Sequence, residues 1–227
     1  MTIKLKIDKQ DIEVPEGTTI LEAARMLGIR IPTLCHHEAL KPYGACRICL
    51  VEVRAGTARA STLVASCVFP VRQGLEVTTD SDEIREVRAG LLELLLARCP
   101  GSRQIRELAG EFGVHETPYT PRDHLCILCG LCVRVCDEIV GARAIDFSFR
   151  GQALDVKPPL LTPAGTCIAC GTCTTVCPTE AVKLEEIARV PYGHAVSETH
   201  PGERCRVCGT HPTKPEFPAN YDDWFPK

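Results

Sequence analysis

Two cysteine runs carry the chemistry of this chain. The first, from Cys126 to Cys136, reads C-I-L-C-G-L-C-V-R-V-C; the second, from Cys167 to Pro178, reads C-I-A-C-G-T-C-T-T-V-C-P. Both have the spacing C-x2-C-x2-C-x3-C, and thirty residues separate them. Three thiolates at that spacing wrap one face of a [4Fe-4S] cubane, and the fourth, one helical turn on, reaches the other cluster. The expected ligand sets are therefore Cys126, Cys129, Cys132 and Cys177 for one cubane, and Cys167, Cys170, Cys173 and Cys136 for the other. Gly130 and Gly171 follow the second cysteine of each run, where positive φ lets backbone N–H groups approach the sulfides. A zinc ribbon would use two C-x2-C pairs rather than two four-cysteine runs. Cysteines three apart in tandem also suit metal better than a disulfide framework.

The rest of the chain must position these groups. Its 227 residues suffice for two small domains and a tail. A net charge of −3 with both signs interspersed makes no electrostatic case for nucleic acid. The greasiest stretch, Leu91 to Ala97, carries a glutamate and is far shorter than a membrane span. The N-terminus reads directly as a strand rather than a signal peptide. With 15 cysteines in metal-type spacing, a reducing cytoplasm is the expected compartment. Aromatic residues are only 5% of the chain, so metal ligation is expected to supply part of what a small core cannot.

Alternation at Ile3, Leu5 and Ile7, then Ile12 and Val14, predicts a β-hairpin turning at Asp8-Lys9-Gln10. Thr18 or Thr19 caps a helix through Leu27, with Ile20, Ala23, Ala24 and Leu27 on one face and Gly28 just past its end. This β-β-α order leads into a loop with Cys35, Cys46 and Cys49. Strands follow, Leu50 to Arg54 and finally Leu75 to Val77, with Cys67 between them. The spacing C-x10-C-x2-C-x17-C has a longer first gap than the plant-type [2Fe-2S] pattern but the same logic, and Gly44 allows close backbone approach. Cys35, Cys46, Cys49 and Cys67 are thus expected to hold a [2Fe-2S] cluster on a β-grasp domain. Buried structural cysteines at 35 and 67 are the plainer alternative.

On P-T-L-C35-H-H, Y-G-A-C46-R-I-C49-L-V-E-V, S-C67-V-F-P-V and G74-L-E-V, residues 1–80 resemble the N-terminal ferredoxin region of the large iron–sulfur subunit of complex I. They also resemble the corresponding subunits of iron-only hydrogenases, NAD-linked formate dehydrogenases and bidirectional nickel–iron hydrogenases. The run C-G-L-C-V-R-V-C-D-E-I-V-G-A-R-A-I extends the resemblance to about residue 185, and the small diaphorase iron–sulfur subunit is the nearest in shape. The fold class is α+β, with four expected parts. These are a β-grasp [2Fe-2S] ferredoxin domain (1–80), a helical linker (81–116), a bacterial-type two-[4Fe-4S] ferredoxin domain (117–185) and an extended C-terminal arm (186–227).

In the linker, Ser81 or Asp82 caps a helix over 81–97, with Ile84, Val87, Leu91, Leu94 and Leu95 at helical spacing. A polar helix is expected from Arg103 to Phe112. The family resembled carries here a histidine and three cysteines for a further cubane. This chain has only Cys99, with His115 and His124 lacking matching cysteines, so that cluster is expected to be absent and Cys99 to be a buried cysteine at the helix end. Between the two four-cysteine runs, Ala144 to Phe147 and Ala153 to Val156 alternate around Arg150-Gly151 and predict a hairpin.

The arm holds six prolines and few aliphatic residues, which suits a segment lying on a partner. Within it His200, Cys205, Cys208 and His211 have the spacing H-x4-C-x2-C-x2-H, which points to zinc or a further cluster; two solvent-side thiols without metal are the alternative.

No Gly-rich dinucleotide fingerprint, nucleophile elbow or flavin motif stands in the sequence, so no catalytic residue is assigned. The resemblance implies a non-catalytic electron-transfer subunit of a cytoplasmic, multisubunit NAD(P)-linked oxidoreductase of the hydrogenase, formate dehydrogenase or electron-bifurcating kind. Its partners would be a flavin (FMN or FAD) subunit that oxidises NAD(P)H and a catalytic redox subunit. A free multi-cluster carrier, or a redox-sensing or structural binding module, are the alternatives.

Overall fold

A computed structural model describes residues 1–56, 60–122, 124–157, 167–168 and 170–182. His200, Cys205, Cys208 and His211 lie outside these residues.

The chain divides into two compact units, and the first takes in Met1–His36 and Pro42–Asp123. Its elements are β1 (Thr2–Ile7), β2 (Gln10–Pro15), α1 (Ile20–Met26), β3 (Leu50–Ala55), β4 (Thr62–Ala65), β5 (Leu75–Thr78), α2 (Asp82–Arg98) and α3 (Arg103–Glu111). The sheet order is β2-β1-β5-β3-β4. β1 and β5 pair in parallel while the other neighbours are antiparallel, so a mixed sheet results. The hairpin expected from the alternation is present, with Leu5 opposite Ile12 and Ile3 opposite Val14.

α1 covers the sheet because its first residues are apolar and its start is well capped. Thr19 and Glu22 form a reciprocal capping box: the Glu22 carboxylate accepts the Thr19 N–H at 2.6 Å and the Thr19 hydroxyl accepts the Glu22 N–H at 3.3 Å. Gly28 takes φ +72° just beyond the helix, a conformation that side chains with a Cβ resist. Ile20, Leu21, Ala23 and Ala24 are buried among Leu5, Ile7, Val14, Val51, Leu75 and Val77, which form the core of this unit.

α2 departs from the expected stripe. Its buried positions are Ile84, Arg88, Leu92, Leu96 and Ala97, while Leu94 is exposed and Val87, Leu91 and Leu95 are only partly covered. A row at i, i+4, i+8 and i+12 therefore contains an arginine, and the charge hid the row from a reading based on hydrophobicity. α3 is polar outside but buries Ile105, Leu108 and Ala109. Ser102 caps it, its hydroxyl accepting the Ile105 N–H, and the return segment is tied to α2 by Arg122 N–H to Ala97 O at 2.7 Å and Thr117 Oγ1 to Glu93 O at 2.8 Å. Cys99 is the C-terminal cap residue of α2 and is wholly buried.

The second unit comprises His37–Lys41 and the described residues from His124 onward. It holds α4 (Leu131–Arg134), a π-helical turn (Val135–Ile139), β6 (Asp146–Ser148), a 3-10 turn (Gly151–Ala153), β7 (Asp155–Lys157) and α5 (Thr172–Thr175). β6 and β7 form the expected hairpin, shifted so that Phe147 faces Val156 and Ala144 and Ile145 lie buried ahead of it. Arg134 and Glu138 pin Lys41 within this unit: Arg134 Nη2 donates to the Lys41 carbonyl at 2.6 Å, and Glu138 Oε2 accepts its N–H at 2.9 Å.

Candidate iron–sulfur sites

In the first unit the loops after α1 and around β3 and β4 bring four cysteines together. Cys35, Cys49 and Cys67 are each about 1% exposed and Cys46 is half-buried. The Cys49 and Cys67 sulfurs stand 3.3 Å apart, too far for a disulfide. The Cys46 N–H donates to the Cys35 sulfur at 3.3 Å. Shared protons among crowded thiols split their acidities: Cys35 is held down first by the Cys46 S–H and then by that of Cys67, and Cys46 and Cys67 are pushed up in return. Cys49 is held down, chiefly by Cys67.

The frame around these thiols is built from main-chain groups. The first N–H groups of a helix lack intrahelical partners. In α1 two of them are used to hold the Cys67 loop: Ile20 N–H donates to Phe69 O at 3.0 Å and Leu21 N–H to Ser66 O at 3.1 Å. Ser66, itself fully buried, holds the Cys49 carbonyl with both its N–H (3.1 Å) and its hydroxyl (2.8 Å). Gly44 has φ +72°, and a Cβ there would meet Val68 Cγ1 at 3.1 Å. Arg47, between Cys46 and Cys49, adopts φ +61°, a left-handed backbone that an arginine reaches only under local constraint. Four converging sulfurs, a close backbone approach and an N–H aimed at sulfur fit a [2Fe-2S] group.

In the second unit Gly130 and Gly171 take φ +75° and +77°, as the two runs require, and each caps the short helix that carries its third cysteine. Leu128 repeats the left-handed turn of Arg47 at φ +56°. Cys136, Cys167, Cys170 and Cys173 line one cavity whose other walls are mainly apolar, among them Val140, Ala144, Ile145 and Ile168. The π-helical turn carries Cys136: Val140 N–H reaches back to Val135 O at 3.0 Å, and Ala144 N–H donates to the Cys136 sulfur at 3.2 Å. Cys173 is pushed up to about 12 by burial, then by Cys170, Cys136 and Cys167. Cys132 is pushed up too, by burial and then by Cys129, Cys177 and Cys126. Cys173 also contributes to the rise at Cys132, so the two groups of thiols lie close enough to affect one another. Buried thiols resist ionisation in an apolar pocket, and ligated iron supplies the positive charge that overcomes this. Leu128 N–H donates to the Cys126 sulfur at 3.4 Å and Ala181 N–H to the Cys177 sulfur at 3.2 Å. The donor set and its N–H bonds fit two cubanes.

Ser66, Arg47, Leu128 and the N–H of Ala144 were not singled out from the sequence. The one signal for Ser66 is a polar residue beside Cys67 in an otherwise apolar stretch. Nothing about an Arg or Leu in a C-x2-C turn announces a positive φ.

Comparison with known proteins agrees with this geometry. Residues 1–82 match the 2Fe-2S iron–sulfur cluster binding domain and residues 125–181 the 4Fe-4S dicluster domain. The chain is 36% identical to the alpha subunit of NADPH-Fe(3+) oxidoreductase of Geobacter sulfurreducens, over 78% of this chain and 23% of that one. It is 34% identical to the G subunit of NADH-quinone oxidoreductase of Rickettsia bellii, over 68% of this chain and 26% of that one. A corresponding G subunit of Rhizobium meliloti is 31% identical, over 98% of this chain and 29% of that one. The chain thus spans about a quarter of the length of these relatives. A crystal structure of NAD+-reducing [NiFe]-hydrogenase in the H2-reduced state contains a chain that superposes with a TM-score of 0.69 at 25% identity, over 99% of both chains. The chain is therefore an iron–sulfur protein that joins a 2Fe-2S cluster binding domain to a 4Fe-4S dicluster domain, and it belongs to the family that includes the G subunit of NADH-quinone oxidoreductase and the alpha subunit of NADPH-Fe(3+) oxidoreductase.

Proposed function

We propose that this chain relays electrons inside a multisubunit NAD(P)-linked oxidoreductase, between a flavin subunit that oxidises NAD(P)H and a second, catalytic redox subunit of the hydrogenase or formate dehydrogenase kind. The observation that carries the reading is the gathering of Cys35, Cys46, Cys49 and Cys67 in one unit and of Cys136, Cys167, Cys170 and Cys173 around one cavity in the other, with N–H groups aimed at the sulfurs of Cys35, Cys126, Cys136 and Cys177. Named relatives that are themselves subunits of NADH- and NADPH-linked oxidoreductases support it. The clusters, when bound, supply one-electron chemistry at thiolate-ligated iron.

The chain's own residues hold and tune that chemistry. Cys35, Cys46, Cys49 and Cys67 are the proposed [2Fe-2S] ligands. Cys126, Cys129, Cys132 and Cys177 hold one cubane, and Cys136, Cys167, Cys170 and Cys173 the other. N–H bonds to sulfur from Cys46, Leu128, Ala144 and Ala181 stabilise negative charge on the thiolates and favour the reduced state. Among the described residues no helix is long and apolar enough to cross a membrane. Cysteine usage of this kind favours a reducing compartment, and we place the chain in the cytoplasm.

Anaerobic purification of the full chain from its host, with identification of what travels with it, tests the proposal. A flavoprotein and a second redox subunit should co-purify, and NAD(P)H should bleach the cluster absorption of the assembly but not of the isolated chain. A chain that purifies alone and is reduced only by a soluble donor protein would instead be a free carrier.

A further inference from the structure

Arg88 is the one basic residue among the described residues that is almost fully buried, at 3% exposure, and it lies in the apolar row of α2 between Ile84 and Leu92. Its guanidinium bonds main-chain carbonyls rather than a carboxylate. Nε donates to the carbonyl of Ile48 at 3.0 Å and Nη2 to the carbonyl of Leu50 at 2.8 Å. These two carbonyls flank Cys49, whose own carbonyl is held by Ser66. Three consecutive peptide units around one thiol are therefore clamped by two buried side chains. The guanidinium also lies over the Phe112 ring, 5.6 Å from its centroid, so the end of α3 closes another side of the charge.

Such an arrangement is unfavourable for a purely structural anchor. Burying a guanidinium costs several kcal/mol unless its charge is answered. Burial pulls the Arg88 pKa down, and the opposing pull comes from Asp80 and from Cys49. The bonds to the Ile48 and Leu50 carbonyls hold this charge beside the peptide units on either side of Cys49.

We propose that Arg88 is a positioning residue for the 2Fe-2S site, which clamps the Ile48–Leu50 ligand loop and raises the reduction potential of the cluster by holding a fixed positive charge beside Cys49. The inference rests on Cys49 being a ligand. On reduction the cluster gains one electron and one unit of negative charge, and no proton or further reactant is involved. A buried cation beside a ligand stabilises the more negative state, and low local polarity makes the effect larger than in water.

The test is an EPR-monitored redox titration of the full chain, with Arg88→Gln and Arg88→Lys beside the unaltered protein and Cys49→Ser as a control. Arg88→Gln should shift the midpoint to lower potential by at least a tenfold change in the reduced-to-oxidised ratio, about 59 mV for one electron. Arg88→Lys keeps the charge but not the fork of two donors. It should stay close to the original midpoint while the cluster signal broadens and the cluster is lost faster on warming. An unchanged midpoint in Arg88→Gln overturns the proposal and leaves Arg88 an anchor only. Should Arg88→Gln fail to assemble the cluster, Arg88→Lys decides: a retained midpoint supports the charge, and a fall of tenfold or more refutes it. If Cys49→Ser leaves the 2Fe-2S spectrum unaltered, the ligand assignment itself is at fault, an outcome distinguishable from an Arg88 effect because it concerns a different variant.

Discussion

The Ser66 hydroxyl donates to the carbonyl of Cys49 at 2.8 Å, and the Ser66 N–H reaches the same oxygen at 3.1 Å. One buried serine thus fixes the peptide unit that follows a proposed ligand, from a position next to another, Cys67. Ser66→Ala removes the hydroxyl and keeps the main-chain bond. The lost bond to a buried carbonyl should cost about 1 kcal/mol. Thermal unfolding should occur at lower temperature, and the 2Fe-2S cluster should be lost earlier than either cubane when cluster absorption is followed on warming.

Gly44 and Gly28 separate two effects of a side chain at positive φ. Both have φ +72°, but a Cβ at Gly28 meets nothing within 4 Å, whereas at Gly44 it meets Val68. Gly28→Ala should carry only the left-handed backbone penalty, about 1–2 kcal/mol. Gly44→Ala should carry that penalty and crowd the cluster loop as well. Reconstitution with iron and sulfide should give a normal 2Fe-2S signal for Gly28→Ala and a diminished one for Gly44→Ala.

Cys170→Ser should damage one cubane and spare the 2Fe-2S signal. Cys170 lines the cavity shared with Cys136, Cys167 and Cys173, in the second of two separate compact units. EPR of the reduced variant reads the outcome. Simultaneous loss of every signal would mean that the two units do not fold independently.

The stretch after α2 bears on iron stoichiometry. Cys99 is buried at the helix end, α3 follows it with Ile105, Leu108 and Ala109 buried, and His115 and His124 are exposed. One 2Fe-2S and two 4Fe-4S clusters imply about ten irons per chain. Iron and acid-labile sulfide analysis of anaerobically purified protein checks this. About fourteen would reveal a further cubane.

Cys205 and Cys208 sit between His200 and His211 in a proline-rich arm, a four-ligand set suited to zinc. Changing both cysteines to serine should lower metal content, weaken assembly with partner subunits and leave the three clusters in place. Full metal content and normal co-purification in that double variant would make the pair two ordinary thiols.

The sequence by itself determined what depends on near neighbours. Ligand spacing, the glycines at 130 and 171, the capping box of Thr19 and Glu22, and the β1–β2 hairpin all arise from residues within a few positions of one another, where steric and hydrogen-bonding rules act directly. Tertiary structure alone decided which strand lies between which, since the parallel pairing of β1 with β5 joins Lys6 to Glu76 and Ile7 to Val77, far apart in the chain. It also decided the role of Arg88, whose acceptors are 40 and 38 positions away. A charged residue in a helix reads as solvent-facing until the fold supplies carbonyls to receive it. Those acceptors offset part of the cost of removing the guanidinium from water, and the buried row of α2 includes it.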